Sequence, residues 1–275
     1  MDGVTAETKP IAGRGLLDGK RALIVGVGNQ RSIAWGIAAA FQREGAKLAF
    51  TYLNERFKDN VQKLVETLPD HAAIAVLQCD AAKPEEVGRL FSEVDQRWEG
   101  LDVLVHSIAY SPTEDLKRRF HEISRDGVLT ALDVSAYTLV SLSRAARPLF
   151  AKAGGGSVMA LTFNAVERVV PSYNAMAVAK AALETCVRYL AVDLGAENVR
   201  VNAISAGPLK TLSASAVKGI SQARDLMEAK APLRRNITQE EVGNVAVFLA
   251  SEWSRSITGA TIYADNGMNI VGVTD

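Results

Sequence analysis

The sequence predicts a single-domain α/β fold, in which a doubly wound parallel sheet of about seven strands carries helices on both faces. Two observations lead to this prediction. Short, nearly continuous apolar runs alternate with longer segments whose apolar residues recur at three- and four-residue steps. Uninterrupted apolar character is typical of strands that are covered on both faces. Strands and helices that alternate through short connections form right-handed crossovers, and these build a parallel sheet.

The candidate strands are short runs rich in apolar and β-branched residues. In chain order they are Arg21–Val25, Lys47–Tyr52, Ala73–Gln78, Asp102–His106, Ser157–Leu161, Arg200–Ile204 and Thr261–Ala264. Helical segments between them carry apolar stripes, which we expect to face the core. The stripes consist of Ile33, Ile37 and Phe41; of Phe57, Val61, Leu64 and Leu68; of Val87, Leu90, Phe91, Val94 and Trp98; and of Met176, Ala179, Leu183, Cys186, Leu190 and Leu194.

Length and composition indicate one domain. The chain has 275 residues, of which 48% are hydrophobic, and this is enough to bury a substantial core. Neither a repeat nor a second composition regime is visible. We therefore predict a polar N-terminal extension over 1–19 and one catalytic domain over 20–275. The 31 basic residues balance 31 acidic ones, so the charge gives no sign of a nucleic-acid-binding surface.

Several features predict a cytoplasmic protein without membrane association. The N-terminus lacks the apolar stretch of a secretory signal, and no apolar run approaches the length of a transmembrane helix. Cys79 and Cys186 are too few and too scattered for a disulfide framework or a zinc motif. Both lie in apolar patterns, so we expect two buried free thiols, which suit a reducing compartment.

The first strand runs directly into a glycine-containing turn, Gly26-Val27-Gly28-Asn29-Gln30-Arg31-Ser32, and a helix follows. In a Rossmann-type unit this turn lets the backbone approach a pyrophosphate, whose charge the first helical amides then face. Ser32 is a suitable N-cap residue. The spacing departs from G-x-G-x-x-G, because the glycine after Gly28 is Gly36. Its place between strand and helix nevertheless favours dinucleotide binding.

The end of the second strand bears on the choice of coenzyme. An acidic residue there would bind the adenosine ribose 2′-hydroxyl and select NAD. Here Leu53 or Asn54 occupies that position, and Arg56 is nearby. The residues themselves therefore leave NADH and NADPH open.

Tyr173 and Lys180 form the candidate catalytic pair. They are seven residues apart at the start of the long helix after the fifth strand, so two helical turns bring them to one face. A lysine there can bind the ribose hydroxyls of a nicotinamide cofactor, and its charge favours electron density on the phenol oxygen. The tyrosine can then stabilise a substrate oxygen that becomes negative. Their position beyond a strand end, where ligand crevices form, supports this interpretation.

The chain from Gly19 to about Val271 resembles the short-chain dehydrogenase/reductase superfamily and, within it, the enoyl-acyl carrier protein reductases of bacterial type II fatty-acid synthesis. The resemblance rests on ordered motifs: Gly26 through Gly36, Thr51-Tyr52, Gln78-Cys79-Asp80, Val105-His106-Ser107-Ile108-Ala109, Tyr173 to Lys180, and Val201-Asn202-Ala203-Ile204-Ser205-Ala206-Gly207-Pro208. Ordinary superfamily members place the tyrosine four residues before the lysine, where this chain has Met176. They also carry Asn-Asn-Ala-Gly where this chain has His106-Ser107-Ile108-Ala109.

The resemblance implies hydride transfer from NADH, with NADPH not excluded, to the β-carbon of a trans-2-enoyl thioester on acyl carrier protein. It implies a homotetramer, and catalytic roles for Tyr173 and Lys180. The residues it places at the cofactor are Gly26, Ser32, Ile33, Leu53, Asp80, Ala81, Ser107, Ile108, Lys180, Leu209 and Thr211. Ser111, Phe163 and Tyr173 would border the substrate, and many bacterial relatives carry a second tyrosine in place of Phe163. The segment 211–230 is interpreted as a poorly ordered lid that closes over the acyl chain.

Other constellations and functions carry less support. His71, His106 and His121 lack metal-ligand spacing, and His106 is expected to be a satisfied group near the core. The basic run 117–119 is a solvated face or a docking site for an acidic carrier protein. Two alternative functions stay open: a related reductase or dehydrogenase acting on a carbonyl or alcohol, and a non-catalytic dinucleotide sensor. Met176 argues against the first, and the tyrosine–lysine pair argues against the second.

Overall fold

A computed structural model describes residues 13–211 and 220–272. These ranges contain one sheet of seven parallel strands, in the order β3-β2-β1-β4-β5-β6-β7. The strands are β1 (Arg21–Val25), β2 (Lys47–Tyr52), β3 (Ala75–Gln78), β4 (Val103–His106), β5 (Gly156–Thr162), β6 (Val199–Ala206) and β7 (Thr261–Ala264). The predicted fold class is confirmed.

Helices cover both faces of the sheet. Those in the described ranges are α1 (Ile33–Arg43), α2 (Glu55–Val65), α3 (Pro84–Trp98), α4 (Thr113–Lys117), α5 (Arg125–Leu132), α6 (Thr138–Ala153), α7 (Asn174–Gly195), α8 (Ile220–Lys230) and α9 (Gln239–Ala250). A π-helical turn, Asp133–Tyr137, joins α5 to α6. Core residues of α1, α2 and α9 pack on one face of the sheet, and those of α3, α6 and α7 pack on the other.

Three strands have the predicted bounds, and the other four differ at their ends. The prediction for β3 begins too early, because His71–Ala73 form a 3-10 turn after Asp70, which adopts left-handed backbone geometry with φ 53°. The prediction for β6 is too short at both ends, since this strand pairs with β5 from Val199 through Ser205. Strand edges depend on pairing with a neighbour, which local apolar pattern does not encode.

Most stripe residues pack in the core, with two corrections. Phe57 is exposed, because α2 lies at the sheet edge and buries only Val61 and Val65. Cys186 is half-buried rather than buried, at the rim of the α7 contact. Cys79 is buried as expected, and burial raises the pKa of its thiol to about 12.

Helices α1 and α9 are in backbone contact, which explains Gly36. A Cβ on Gly36 would lie 2.7 Å from the Cβ of Gln239, and one on Gly243 would lie 2.6 Å from the carbonyl oxygen of Gly36. Both approaches are too short for any side chain. Gly36 is therefore needed for the close packing of α1 on α9, and this packing sets the direction of the N-terminus of α1.

The first part of the predicted N-terminal extension, residues 1–12, lies outside the described residues. The following segment packs against the domain: Leu17 is fully buried, and the amides of Arg14 and Leu16 donate to the Glu44 carboxylate. Within 13–211 and 220–272, none of the helices combines the length and apolar character required to cross a membrane.

Strands β1 and β4 are neighbours in the sheet although β2 and β3 intervene in the chain. The chain turns to opposite faces after these two strands, so a crevice opens beyond their carboxyl ends. This topological switch point is where a parallel α/β sheet binds ligands.

Candidate active site at the switch point

Gly26 brings the turn after β1 against the loop after β4. Its φ of +105° lies in the region that favours glycine, and a Cβ there would overlap the carbonyl oxygen of Ser107. Gly28 differs, because a Cβ on it would meet no atom of the described residues within 4 Å. The first glycine is thus required by the fold itself, while the second faces open space that a ligand can enter.

The N-terminus of α1 is presented to that space by a set of short polar contacts. Ser32 caps the helix by accepting from the amide of Trp35 at 3.3 Å, and its hydroxyl donates to the carbonyl of Asn29 at 2.7 Å. Gln239 donates its side-chain amide to the carbonyl of Ser32 at 2.6 Å. The first helical amides, including that of Ile33, have no intrahelical acceptor and can bind a phosphate.

The ends of β2 and β3 carry the residues predicted to border the adenosine. Leu53 is about half exposed and offers no acceptor. Asn54 is used locally, since its side-chain oxygen caps α2 by accepting from the amide of Arg56 at 3.1 Å. Asp80 accepts from the amide of Ala82 at 3.1 Å, and Ala81 beside it is buried. The acidic residue nearest the end of β2 is Glu55, and its carboxylate accepts from the hydroxyl of Tyr52 at 3.1 Å.

Lys180 is buried, and its ammonium lies against the end of β5. Its Nζ donates to the carbonyl oxygen of Leu161 at 2.6 Å, and burial lowers the pKa of this lysine to about 8. An ammonium carries three hydrogens. The described residues use one of them, so two donors remain for the hydroxyls of a ribose.

Tyr173 precedes α7 and is half-buried beside Phe163, with the two ring centroids 5.1 Å apart and the planes tilted by 57°. Burial raises the pKa of the phenol, and the Lys180 charge does not offset this effect. In the protein alone burial is the dominant influence on this phenol, so Tyr173 stays protonated, and an effect of the Lys180 charge on its oxygen stays a prediction. A protonated phenol is the form that can donate a hydrogen bond to a substrate oxygen.

His106 ends β4 and is fully buried. Its Nε2 lies 2.8 Å from the hydroxyl of Thr138, and that hydroxyl donates its own hydrogen to the carbonyl of Val134 at 2.7 Å. Nε2 must therefore be the donor, which leaves Nδ1 as a bare acceptor without a partner in the described chain. Burial, followed by the Lys180 charge, lowers the pKa of His106 to about 3. The prediction that His106 has all its hydrogen bonds is therefore wrong, because Nδ1 has no partner in the described residues.

The remaining predicted residues lie around the same edge. Ser107 and Ile108 follow β4 and are half-buried, while Ser111 is buried with no partner for its hydroxyl in the described chain. Leu209 is buried in the loop after β6, and the amide of Thr211 donates to its carbonyl at 2.8 Å. Tyr110, Phe120 and Val169, in the segments after β4 and β5, carry exposed apolar side chains that were not predicted.

Part of the predicted lid, residues 212–219, lies outside the described residues. The part from Ile220 to Lys230 is a regular helix, α8, and Met227 on it is fully buried against the core. The described ranges contain no group of three His, Cys, Asp or Glu side chains placed to hold a metal ion.

The pattern of the family described as Enoyl-(Acyl carrier protein) reductase matches residues 26–269. The chain belongs to the enoyl-acyl carrier protein reductase family. It is 44% identical to the Enoyl-[acyl-carrier-protein] reductase [NADH] FabI of Aquifex aeolicus over 259 residues, which are 94% of each chain. It is 46% identical to the protein of the same name from Bacillus cereus, over 94% of this chain and 99% of the relative.

Solved structures of enoyl-acyl carrier protein reductases have the same fold. The Bacillus cereus enzyme with NADP+ and indole naphthyridinone aligns with a TM-score of 0.91 and 46% identity, over 94% of this chain and 99% of the other. The Anaplasma phagocytophilum enzyme in complex with NAD aligns with a TM-score of 0.89 and 40% identity, over 94% and 97%.

Within this enoyl reductase fold, three polar residues at the site were not predicted. Asn174 follows the tyrosine directly, Thr162 ends β5, and Glu184 lies one helical turn after Lys180. The signal for Glu184 was present, because it is an acidic residue within the buried pattern of α7. No pattern in the sequence distinguishes Asn174 from an ordinary helix-start residue.

Proposed function

We propose that this chain is an enoyl-acyl carrier protein reductase that uses NADH to reduce the carbon–carbon double bond of a trans-2-enoyl thioester. The observation that supports this most directly is the position of Tyr173 and Lys180. They lie at the start of α7, against the end of β5, on the same sheet edge as the glycine turn. Relatives in the family to which the chain belongs are named for this reaction and for NADH.

The residues at the switch point fit a dinucleotide. Open space beside Gly28 and unpaired amides at the start of α1 are features that a bound group would explain. In this proposal Gly26, Ser32 and Ile33 hold the pyrophosphate. Residues that border the adenosine, the nucleoside and the nicotinamide are Leu53, Asp80, Ala81, Ser107, Ile108, Lys180, Leu209 and Thr211. When bound, the cofactor supplies the hydride, and the protein supplies placement and electrostatics.

Tyr173 stabilises the negative charge that develops on the substrate during the reaction. As hydride adds to the β-carbon, the electrons of the double bond move toward the thioester carbonyl, whose oxygen becomes negative. The phenol of Tyr173 donates a hydrogen bond to that oxygen and lowers the energy of the enolate. Lys180 binds the ribose and fixes the distance between the cofactor and the thioester. The enolate then takes up a proton from water at the α-carbon, which completes the addition of hydride and proton across the former double bond.

Phe163 has no hydrogen-bond donor, so in this proposal it acts through packing. Its ring contacts the ring of Tyr173 and limits the directions in which the phenol can point. The substrate side also includes Ser111, whose buried hydroxyl can bind the thioester segment. Met176 is buried where ketone reductases of the superfamily place their tyrosine, and its thioether cannot donate a proton. The carbonyl-reducing alternative is therefore disfavoured.

The proposal includes a cytoplasmic homotetramer that receives its substrate on acyl carrier protein. The described chain leaves several large apolar side chains exposed, as expected where subunits meet. They are Leu129, Tyr137, Tyr189, Val192, Trp253 and Ile270. The basic run 117–119 next to the exposed Phe120 is a suitable docking site for an acidic carrier protein. Sedimentation of the purified protein tests the tetramer.

An enoyl-thioester reduction assay tests the function. Purified protein should oxidise NADH when given crotonyl or longer trans-2-enoyl thioesters, and NADPH is run in parallel. Tyr173→Phe should lose roughly two to three orders of magnitude in kcat, because one hydrogen bond to the developing oxyanion is removed. Its thermal melt should be unchanged. Tight cofactor binding without turnover of any enoyl or carbonyl substrate would instead identify a sensor.

A further inference from the structure

A buried carboxyl group lies near Lys180 at the end of β5. Glu184 is four residues further along α7, so its side chain lies on the same helical face one turn away. Both residues are buried, with 5% of Lys180 and 7% of Glu184 exposed. They form no direct ion pair within the described chain, yet each charge acts on the other. A carboxyl group rarely becomes this buried without a partner or a task.

The carboxyl is held in place from β5. The hydroxyl of Thr162 donates to Oε1 of Glu184 at 2.8 Å, and the carbonyl of Leu161, one residue earlier, accepts from Lys180. Two adjacent residues of one strand end therefore fix the ammonium and the carboxyl separately. A hydroxyl that donates to a carboxylate oxygen favours its charged form.

We propose that Glu184 is a positioning residue that acts through Lys180: its carboxylate holds the lysine in the charged form that binds the ribose. The inference rests on the proposed function for the identity of the ligand, and on this chain's own contacts for everything else. An ammonium that is buried loses its hydration, which favours the neutral amine. A negative charge one helical turn away opposes that loss.

The titration of the two groups agrees with this role. Burial lowers the pKa of Lys180 to about 8, and the Glu184 carboxylate is the group that raises it again. Burial also raises the pKa of Glu184, against the hydrogen bond from Thr162 and the charges of Arg188 and Lys180. Without Glu184, the lysine would lose its proton at a lower pH.

Four other polar groups face this pair. From the segment after β5, Glu167 raises the pKa of Glu184, and it accepts a hydrogen bond from the hydroxyl of Tyr263 on β7 at 2.7 Å. Arg188 acts from the next turn of α7, and neutral His106 acts from β4. Glu167 and Arg188 have opposite charges at the outer end of the cluster. Glu184 is the acidic group that acts on the pKa of Lys180.

The test uses Glu184→Gln, which keeps the shape of the side chain and removes its charge. NADH binding is measured by fluorescence as a function of pH, and kcat/KM for an enoyl thioester is measured over the same range. We expect the alkaline limb of both profiles to move down by about half a pH unit, which weakens NADH binding about threefold on that limb. Glu184→Asp should restore the limb because the charge returns.

Control variants separate charge from packing. Glu66→Gln removes an exposed carboxylate from the end of α2, so it should leave both profiles unchanged. Thr162→Val removes the hydrogen bond that fixes the Glu184 carboxylate, so the alkaline limb should move down, but by less than in Glu184→Gln, because the carboxylate keeps its charge and loses only its fixed position. This variant also tests the proposal if Glu184→Gln does not fold.

Three outcomes are decisive. Wild-type profiles for Glu184→Gln would overturn the proposal. So would an equal loss at every pH that Glu184→Asp fails to rescue, because that result indicates packing alone. If the wild-type protein reduces no enoyl thioester while the NADH-binding limb still moves in Glu184→Gln, the proposed function fails and the role of Glu184 toward Lys180 stands.

Discussion

The side-chain amide of Asn174 donates to the carbonyl oxygen of Arg118 at 2.6 Å. The same amide lies 3.2 and 3.3 Å from the carbonyl oxygens of Asp115 and Leu116. One side chain therefore binds three backbone carbonyls at the end of α4. Asn174 directly follows Tyr173, and its φ of +24° is unusual for a residue with a side chain. The tyrosine is thus held by a backbone whose geometry depends on a distant loop.

Asn174→Ala should impair catalysis more than cofactor binding. Without the amide, the segment after Tyr173 is released from α4, and the phenol loses its fixed direction. We expect kcat to fall about tenfold, in line with a misplaced catalytic group, and stability to fall by about 1–2 kcal/mol. Steady-state kinetics with NADH binding and a thermal melt measure these effects.

Asn198→Ala is the matched control for this prediction. Asn198 also has a positive φ, 59°, and its amide donates to the carbonyl of Gly154 at 2.9 Å, far from the site. It should lose similar stability and keep its kcat. Equal kcat losses in both variants would show that the contact between Asn174 and α4 has no specific role.

Replacing each of the first two glycines of the turn by alanine should separate folding from binding. Gly26→Ala places a methyl group on the Ser107 carbonyl at a φ of +105°, so we expect a loss of about 2–4 kcal/mol or failure to fold. Gly28→Ala meets nothing within 4 Å in the described protein, so its melt should be unchanged. Its NADH dissociation constant should rise at least tenfold, because the methyl group occupies pyrophosphate space.

The outcome for Gly28 is the critical one. Calorimetry or fluorescence titration of both variants gives the comparison. Wild-type NADH affinity in Gly28→Ala would place the pyrophosphate elsewhere and contradict the cofactor site as proposed.

The element pattern of this protein was predictable because it depends on local periodicity. β1, β2 and β7 have their predicted bounds; β1 and β2 are almost entirely buried and appear as uninterrupted apolar runs, while the edge strand β7 is a short apolar run that is only partly buried. The pairing of Tyr173 with Lys180 was expected from a seven-residue helical spacing, but α7 begins at Asn174, so Lys180 lies in the helix and Tyr173 precedes it.

Relationships between distant segments were not predictable. Gly26 is required by a carbonyl 81 residues later, and Gly36 by a helix that begins about 200 residues later. The Thr138 hydroxyl donates to the carbonyl of Val134 in the π-helical turn, so it can only accept from Nε2 of His106. Nδ1 of His106 is then left as an acceptor without a partner in the described residues. Such contacts depend on how elements meet, and a sequence encodes that only through the whole fold.

Phe163→Tyr tests whether the missing hydroxyl matters. The ring contacts Tyr173 at 5.1 Å, and this contact is preserved when a hydroxyl is added to a half-buried ring. We therefore expect kcat to change by less than about threefold, which corresponds to well under 1 kcal/mol. Phe163→Ala is the comparison, because it removes the ring and should lower kcat by releasing Tyr173. Enoyl reduction rates of the two variants show whether packing or polarity matters at this position. A large gain in Phe163→Tyr would show that a second polar group is needed.

His106 should make the protein sensitive to acid. Its pKa is lowered from 6.5 to about 3 because burial disfavours the charged ring, with the Lys180 charge adding to this effect. Between these values the unfolded chain binds a proton that the folded protein does not. Stability is therefore complete above the unfolded pKa and decreases as the pH falls below it, by about 1.4 kcal/mol per pH unit from this group alone.

Glutamine cannot titrate, so His106→Gln should show a flatter dependence of unfolding free energy on pH between these limits. Urea unfolding at several pH values measures both slopes. Glutamine also changes the contact with Thr138, so its stability at neutral pH serves only as the reference level, and the slope carries the result. Equal slopes in the two proteins would mean that the pKa of His106 is not lowered by folding, which would contradict the prediction.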